Sequence, residues 1–448
     1  MSQVNATLPS EIADRVTKPF SRFLKIETAS GAVLLLATFG ALTLSNSAWS
    51  ASFLAFWDVP VGVHFGSLDF TRSLRHWIND GLMTLFFFVV ALELKRELVL
   101  GELRILRMAA LSFAGALGGM LGPATIYLAL TRGQTEMHGW GTVTATDTAF
   151  VIGCLALLGS RIPPTLRLFL LSLAIFDDVG AILVVALGYG GPLNYAALAL
   201  MGLGLAIMVG FARVGIRNVS IYFLLGVIIW LCCDASGIHP TFTGVVLGLM
   251  TPARGWVSDA RLHAILERVV SYPSGNHWSG DTIARRDLRR ASIATAEALS
   301  PLERLEMMLH PWVGFAIMPI FAFANAGFAI SGPDIIQPVS IAIFAGLVFG
   351  KPIGVLAFSW LAVRLGIATR SPALNWSLLA AASLLTGIGF TMSLFIAGMA
   401  YEPAALDAVK IGILAASVFS ATAGLLALIL TSRNAGRVKG PSTTMRSK

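Results

Sequence analysis

Twelve apolar runs, set apart by charges, glycines and prolines, occupy this chain between residues 29 and 431. A helix needs about 20 mostly apolar residues to cross ~30 Å of hydrocarbon, and backbone in lipid must satisfy its own hydrogen bonds. The runs lie near 29–48, 79–94, 108–130, 137–159, 166–189 and 195–212, and then near 219–233, 236–250, 311–330, 338–363, 374–400 and 407–431. Composition agrees: 56% of the 448 residues are hydrophobic and 12% are charged, against roughly 25% charged in soluble domains. The chain therefore reads as an all-α polytopic membrane protein with twelve transmembrane helices.

Basic residues test this division, because they gather on the cytoplasmic side of a bilayer. The net charge is +8, which in a soluble chain would raise the question of nucleic acid. Here the Lys and Arg residues alternate with the loops: 27 of the 32 fall in the termini and even-numbered loops, including Lys95, Arg96, Arg104 and Arg107. Only Arg72, Arg75 and Arg132 fall in odd-numbered loops. Twelve spans with both termini in the cytoplasm follow, with no nucleic-acid partner. A polar segment, 1–28, and a basic tail, 432–448, flank the domain of 29–431. No small-residue cleavage site follows the first apolar run, so that run reads as a retained span.

Two connections stand out. The alternating stretch from Val59 to Phe70, with Gly66 and Ser67 at its centre, predicts an external β-hairpin. An isolated hairpin is marginally stable, so it needs something to pair with. Residues 251–310 carry eight Arg, seven acids and a turn-rich stretch from Ser271 to His277, the signature of a flexible cytoplasmic insertion. The three cysteines, Cys154, Cys232 and Cys233, all lie in apolar runs without CxxC or Cys/His spacing, so they suggest neither a disulfide framework nor a zinc site.

Charge inside a span is costly and defaults to function. Asp80, Glu93 and Asp234 lie at span ends, whereas Asp147, Asp177, Asp178 and Lys351 fall near the middle of their runs. Buried ion pairs between helices are one reading of these four. One lysine cannot neutralise three carboxylates, and the surplus must be met by protons, a bound cation or water. Asp177 and Asp178 project ~100° apart on a helix, so one can face Asp147 while the other meets Lys351. Burial and like-charge repulsion favour the protonated carboxyl, letting protons and cations compete for one site.

The fourth run is interrupted. Ala149 to Gly159 is eleven residues, about 17 Å of helix, and must recruit the small, polar stretch Gly139–Asp147 in order to span. The eleventh run breaks likewise at Thr386-Gly-Ile-Gly-Phe-Thr391. Close helix packing through Gly and Thr is the alternative explanation for either break alone. Together they are more telling, because spans three to five and ten to twelve have opposite topology and both have a broken middle member. Matched interruptions in inverted halves point to a transporter's midplane site, with Asp147 and Asp178 supplying hard oxygen ligands for a small alkali cation.

Five motifs resemble the NhaA family of sodium/proton antiporters: Thr146-Asp147, Phe176-Asp177-Asp178-Val179-Gly180, Gly350-Lys351-Pro352, Gly387-Ile-Gly-Phe-Thr391 and Leu92-Glu93-Leu-Lys-Arg-Glu97. That family itself exemplifies inverted repeats. The likeness runs from about residue 20 to 430 and includes His310-Pro-Trp312 and Phe321–Gly327. It implies a core of spans 108–189 and 338–431 with two discontinuous crossing helices, and an interface formed by 29–94 and 195–330. It also implies electrogenic, pH-regulated exchange of sodium or lithium for protons, at the inner (plasma) membrane and without a cofactor. Carried over, Asp147 and Asp178 are the cation and proton site, Thr146, Gly387, Gly389 and Thr391 line the crossing, and Asp177 pairs with Lys351. Glu93, Arg96, Glu97, His239 and Glu306 match positions linked to pH response, though interfacial charges and a capped histidine explain them equally well. The hairpin would join its copy in a homodimer. The segment 251–310 is longer than in typical members.

Other classes fit less well. An intramembrane aspartyl protease also uses two membrane aspartates, but no Gly-x-Gly-Asp motif lies on a span, and Lys351 would suppress a shared proton. The chain thus reads as a transporter and not an enzyme. A sodium-coupled symporter for an organic anion is the runner-up, and a membrane sensor built on the same ion site is a third possibility.

Overall fold

The computed structural model describes residues 27–65, 68–101, 106–216, 219–270, 282–328 and 336–437. Apolar runs become helices. In chain order these are α1 (Glu27–Ser45), the short α2 (Ser50–Phe56), α3 (Leu74–Val99), α4 (Leu106–Leu130), a 3-10 helix (Thr135–Val143) with α5 (Thr148–Leu158), α6 (Pro164–Gly188), α7 (Tyr195–Val214), α8 (Val219–Ala235) and α9 (Thr241–Met250). Then come α10 (Asp259–Val270), α11 (Thr282–Ala298), α12 (Pro301–Asn325), α13 (Pro338–Arg364), α14 (Trp376–Leu385), α15 (Phe390–Ala400) and α16 (Pro403–Arg437). Among the described residues, seven helices are long and apolar enough to cross a membrane. Two pairs bend at short breaks, by 41° where the 3-10 helix meets α5 and by 50° where α14 meets α15. Three apolar helices, α1, α8 and α9, are shorter.

The tightest seam joins α4 to α13. A Cβ on Gly354 would run into the Gly118 carbonyl, and one on Gly122 would meet that of Gly350. Without Cβ atoms the two backbones touch, as small residues allow between membrane helices. Beyond this seam α6 packs on α4, and α16 lies against both α13 and α14. The 3-10 helix rests on α15, while α1 spans from α12 to α5. Helices α7 and α8 share a separate apolar cluster around Met201, Met208, Ile229 and Cys233.

The expected hairpin is present. β1 (Pro60–Phe65) and β2 (Leu68–Ser73) run antiparallel with Pro60 opposite Ser73 and Phe65 opposite Leu68; Gly66 and Ser67 lie outside the described residues. Its support comes from its own chain: Trp77 donates through Nε1 to the Val61 carbonyl at 2.8 Å, and Arg72 reaches Asp234 on α8 at 2.7 Å.

Two expectations need correcting. The ninth run begins at Pro301 and not near 311, because Ser300 and Glu303 form a capping box that starts α12. Pro311 does not end that helix, since a π-helical turn over Val313–Ile317 follows it. The segment 251–310 also carries two amphipathic helices, α10 and α11, packed on each other, where a flexible insertion was expected. Its apolar residues repeat at helical spacing between charges, which lowers the average hydropathy without removing a packing face. Ser271–His277 lies outside the described residues, as do the N-terminal segment up to residue 26 and the tail from 438.

Candidate functional site

The two breaks cross. Asp147 begins α5 as its N-cap, with Oδ1 accepting from the Phe150 N–H at 3.0 Å. Its Oδ2 accepts from the Thr391 N–H at 3.0 Å and from the Thr391 hydroxyl, in the first turn of α15. One carboxylate therefore caps two helices from different halves of the chain. Both N-termini direct unsatisfied N–H groups and the positive end of a dipole at it. The backbone repeats the link, since the Asp147 N–H donates to the Ile388 carbonyl at 2.7 Å and the Thr146 hydroxyl to the Thr386 carbonyl at 3.0 Å. The Phe390 N–H is met by the Ser417 hydroxyl of α16 at 3.1 Å. Gly387 and Gly389 do not have positive φ. They serve close approach, since a Cβ on Gly387 would press on Ser420 and the Leu347 carbonyl.

Asp177 and Asp178 diverge as the helical angle requires. Asp177 Oδ2 lies 2.8 Å from Lys351 Nζ, and both side chains are fully enclosed. Lys351 also donates to the Thr144 carbonyl at 2.7 Å, reaching the broken span from α13. Asp178 points instead to the start of α5, where the Thr148 hydroxyl donates to its Oδ2 at 3.0 Å. Its Oδ1 is buried and accepts no hydrogen bond from the protein. Neither Asp147 nor Asp178 has a cationic partner among the described residues, and both are buried. Among the described residues the crossing thus holds two carboxylates without an ion-pair partner, one with an oxygen that accepts no hydrogen bond, beside hydroxyls and the carbonyls of the breaks.

Thr148 was not foreseen, although its place after Asp147 was a usable signal. Ser417 gave none, because a serine on an apolar helix looks like any packing serine.

Four of the five residues matched to pH response meet near the C-terminal end of α3. Arg96 binds Glu306 of α12 and Glu97, the latter at 3.0 Å, and Glu93 lies 3.5 Å from His310. His239 is elsewhere. Its Nδ1 is 2.8 Å from the Thr241 hydroxyl and its Nε2 is 3.7 Å from Asp80 near the other end of α3. Asp80 and Glu93 are separated by roughly 20 Å of helix.

Comparison with known proteins supplies the family. The family described as Na+/H+ antiporter 1 matches residues 21–428. A Na(+)/H(+) antiporter NhaA of Rhizobium meliloti (strain 1021) is 63% identical over 435 residues, covering 97% of this chain and 100% of that protein. A Na(+)/H(+) antiporter NhaA 2 of Acidiphilium cryptum (strain JF-5) is 61% identical over 429 residues, 96% of each chain. The corresponding NhaA 2 of Vibrio vulnificus (strain CMCP6) is 50% identical over 426 residues, 95% of each. With a crossing of two broken helices around buried carboxylates, and relatives matched over nearly their whole length, the chain belongs to the NhaA family of sodium/proton antiporters.

Proposed function

We propose that this protein exchanges sodium or lithium for protons by alternating access, with Asp147, Asp178 and Thr146 forming the shared ion and proton site. The observation that carries the reading is the pair of enclosed carboxylates that have no ion-pair partner among the described residues once Lys351 is paired with Asp177. An enclosed carboxylate persists only when a proton or a cation neutralises it. Two carboxylates, Thr146 and the carbonyls of the breaks form an oxygen cage suited to a hard alkali cation. Protons expel the cation by taking the same oxygens, so each face of the membrane exchanges one for the other. No cofactor takes part, and the chain is a transporter and not an enzyme.

Lys351 gives the exchange its charge imbalance. Its ammonium holds Asp177 in one state, and release of its proton during the cycle moves positive charge beyond the cation exchanged. Seven long helices, two bent pairs and three shorter apolar helices support a reading of twelve spans, arranged as inverted repeats with both termini in the cytoplasm. The segments 108–189 and 338–431 form the moving core of the inner-membrane protein. The hairpin of β1 and β2 is the surface that joins a second copy, giving a homodimer. The cluster of Glu93, Arg96, Glu97 and Glu306 sets the pH response at the cytoplasmic mouth, with His239 acting from the opposite end.

The test is sodium-induced thermal stabilisation of purified protein beside Asp178→Asn. A rise in melting temperature with sodium that disappears in the variant supports the site. An equal rise in both excludes Asp178 as a ligand.

A further inference from the structure

Outside the crossing, a second group of ligand-bearing side chains converges at the hairpin end of the molecule. His76 and Asp80 stand one turn apart where α3 opens into a π-helical turn, with His76 Nε2 2.9 Å from Asp80 Oδ2. Asp234, near the end of α8, joins them, and one ligand atom from each of the three lies within 4.8 Å of the others. His239 adds a second imidazole, 3.7 Å from Asp80 Oδ1. All four line a cavity of about 290 Å³ that is also walled by Phe395 and Met399 of α15.

The hydrogen bonds of this group do not close. His76 Nε2 faces both Asp80 Oδ2 at 2.9 Å and Arg72 Nη1 at 3.1 Å. A protonated Nε2 donates to the carboxylate but keeps no lone pair to accept from the guanidinium. An unprotonated Nε2 accepts from Arg72 but sets its lone pair against the carboxylate. Neither tautomer satisfies both contacts. A metal ion removes the conflict, because it takes lone pairs from the imidazole and both carboxylates together. Zinc bonds of ~2.0–2.2 Å put neighbouring tetrahedral ligands roughly 3.3–3.5 Å apart, and small rotamer changes bring the three atoms to that spacing. Arg72 holds the position at present, 2.7 Å from Asp234. It projects from β2 with 38% of its side chain exposed, so it has room to withdraw.

We propose that His76, Asp80 and Asp234 bind a divalent transition metal of the zinc class, and that the bound metal slows ion exchange. Imidazole with carboxylate selects zinc over magnesium. The cysteine spacing excluded a thiolate site, and this one contains no sulfur. The inhibitory half rests on the proposed antiport: α15 walls the cavity and is also capped by Asp147, so a metal joining α3 to α8 beside it opposes movement of the crossing.

Calorimetric titration of zinc chloride into purified protein near neutral pH tests the site. One saturable event in wild type, weakened about tenfold or more in His76→Ala and in Asp234→Asn, and retained in Arg72→Gln, is expected; magnesium chloride gives no such event. Absence of zinc binding in wild type, or equal affinity in both ligand variants, overturns the site. In proteoliposomes, zinc on the hairpin side should slow sodium-driven proton flux of wild type but not of His76→Ala, which exchanges normally without zinc. Zinc bound by calorimetry without slowing overturns the inhibition alone. If wild type lacks sodium-driven exchange altogether, antiport fails while calorimetry still decides the metal site.

Discussion

At the scale of single residues, Asp147 carries two burdens that substitution can separate. As a cap it meets donors from α5 and α15, and losing a capping side chain costs roughly 1–2 kcal/mol at each helix. As a charge it belongs to the proposed ion site. Asp147→Asn keeps an acceptor oxygen and loses the charge, whereas Asp147→Ala loses both. Melting temperatures should therefore fall in the order wild type, Asn, Ala, with sodium-driven exchange lost in both variants. Equal stability of Asn and Ala would contradict the double cap. For the enclosed Asp177–Lys351 pair, Lys351→Ala should cost about 3–5 kcal/mol by stranding a carboxylate. Adding Asp177→Asn should restore much of that loss, and denaturation of the double variant in detergent checks it. The sequence made Asp147, Asp178 and Lys351 visible because charge is rare inside apolar runs, and the helical angle foretold that adjacent aspartates would part. It could not disclose that Asp147 caps both halves, since that link joins residues separated by 244 positions.

At the scale of elements, the breaks were legible because Gly, Thr and Asp interrupt otherwise apolar runs, and each break lies where the sequence places it. The α4–α13 seam was not, because glycine spacing does not say which helix lies opposite. Gly354→Ala forces a methyl against the Gly118 carbonyl and should destabilise the fold by about 1–3 kcal/mol. Gly202→Ala, with no neighbour within 4 Å, is the control and should melt like wild type. Similar melting of the two variants would show that the seam is looser than described. The start of α12 was misplaced because Pro311 reads as a boundary, while the π-helical turn that follows absorbs it. The helices of 251–310 were hidden by their charges, since hydropathy alone does not register amphipathic spacing.

At the scale of the whole molecule, each of the twelve apolar runs is helical over most of its length, but α1, α8 and α9 are shorter than the helices long enough to cross a membrane. The hairpin's attachment to α3 and α8 lay beyond the sequence, because Trp77 and Asp234 look like ordinary span-end residues. The proposed competition between protons and cations for the same oxygens makes a prediction at this scale: apparent sodium affinity should weaken as pH falls, because carboxylate ligands must be deprotonated to bind. Sodium dependence of exchange across a pH series checks this, and an affinity independent of pH would argue for separate sites. The central claim is that sodium and protons exchange through Asp178 and Asp147. Its most direct test is sodium-induced collapse of a preset proton gradient in proteoliposomes, with wild type beside Asp178→Asn. The account predicts collapse in wild type and none in the correctly folded variant; equal collapse in both would contradict it.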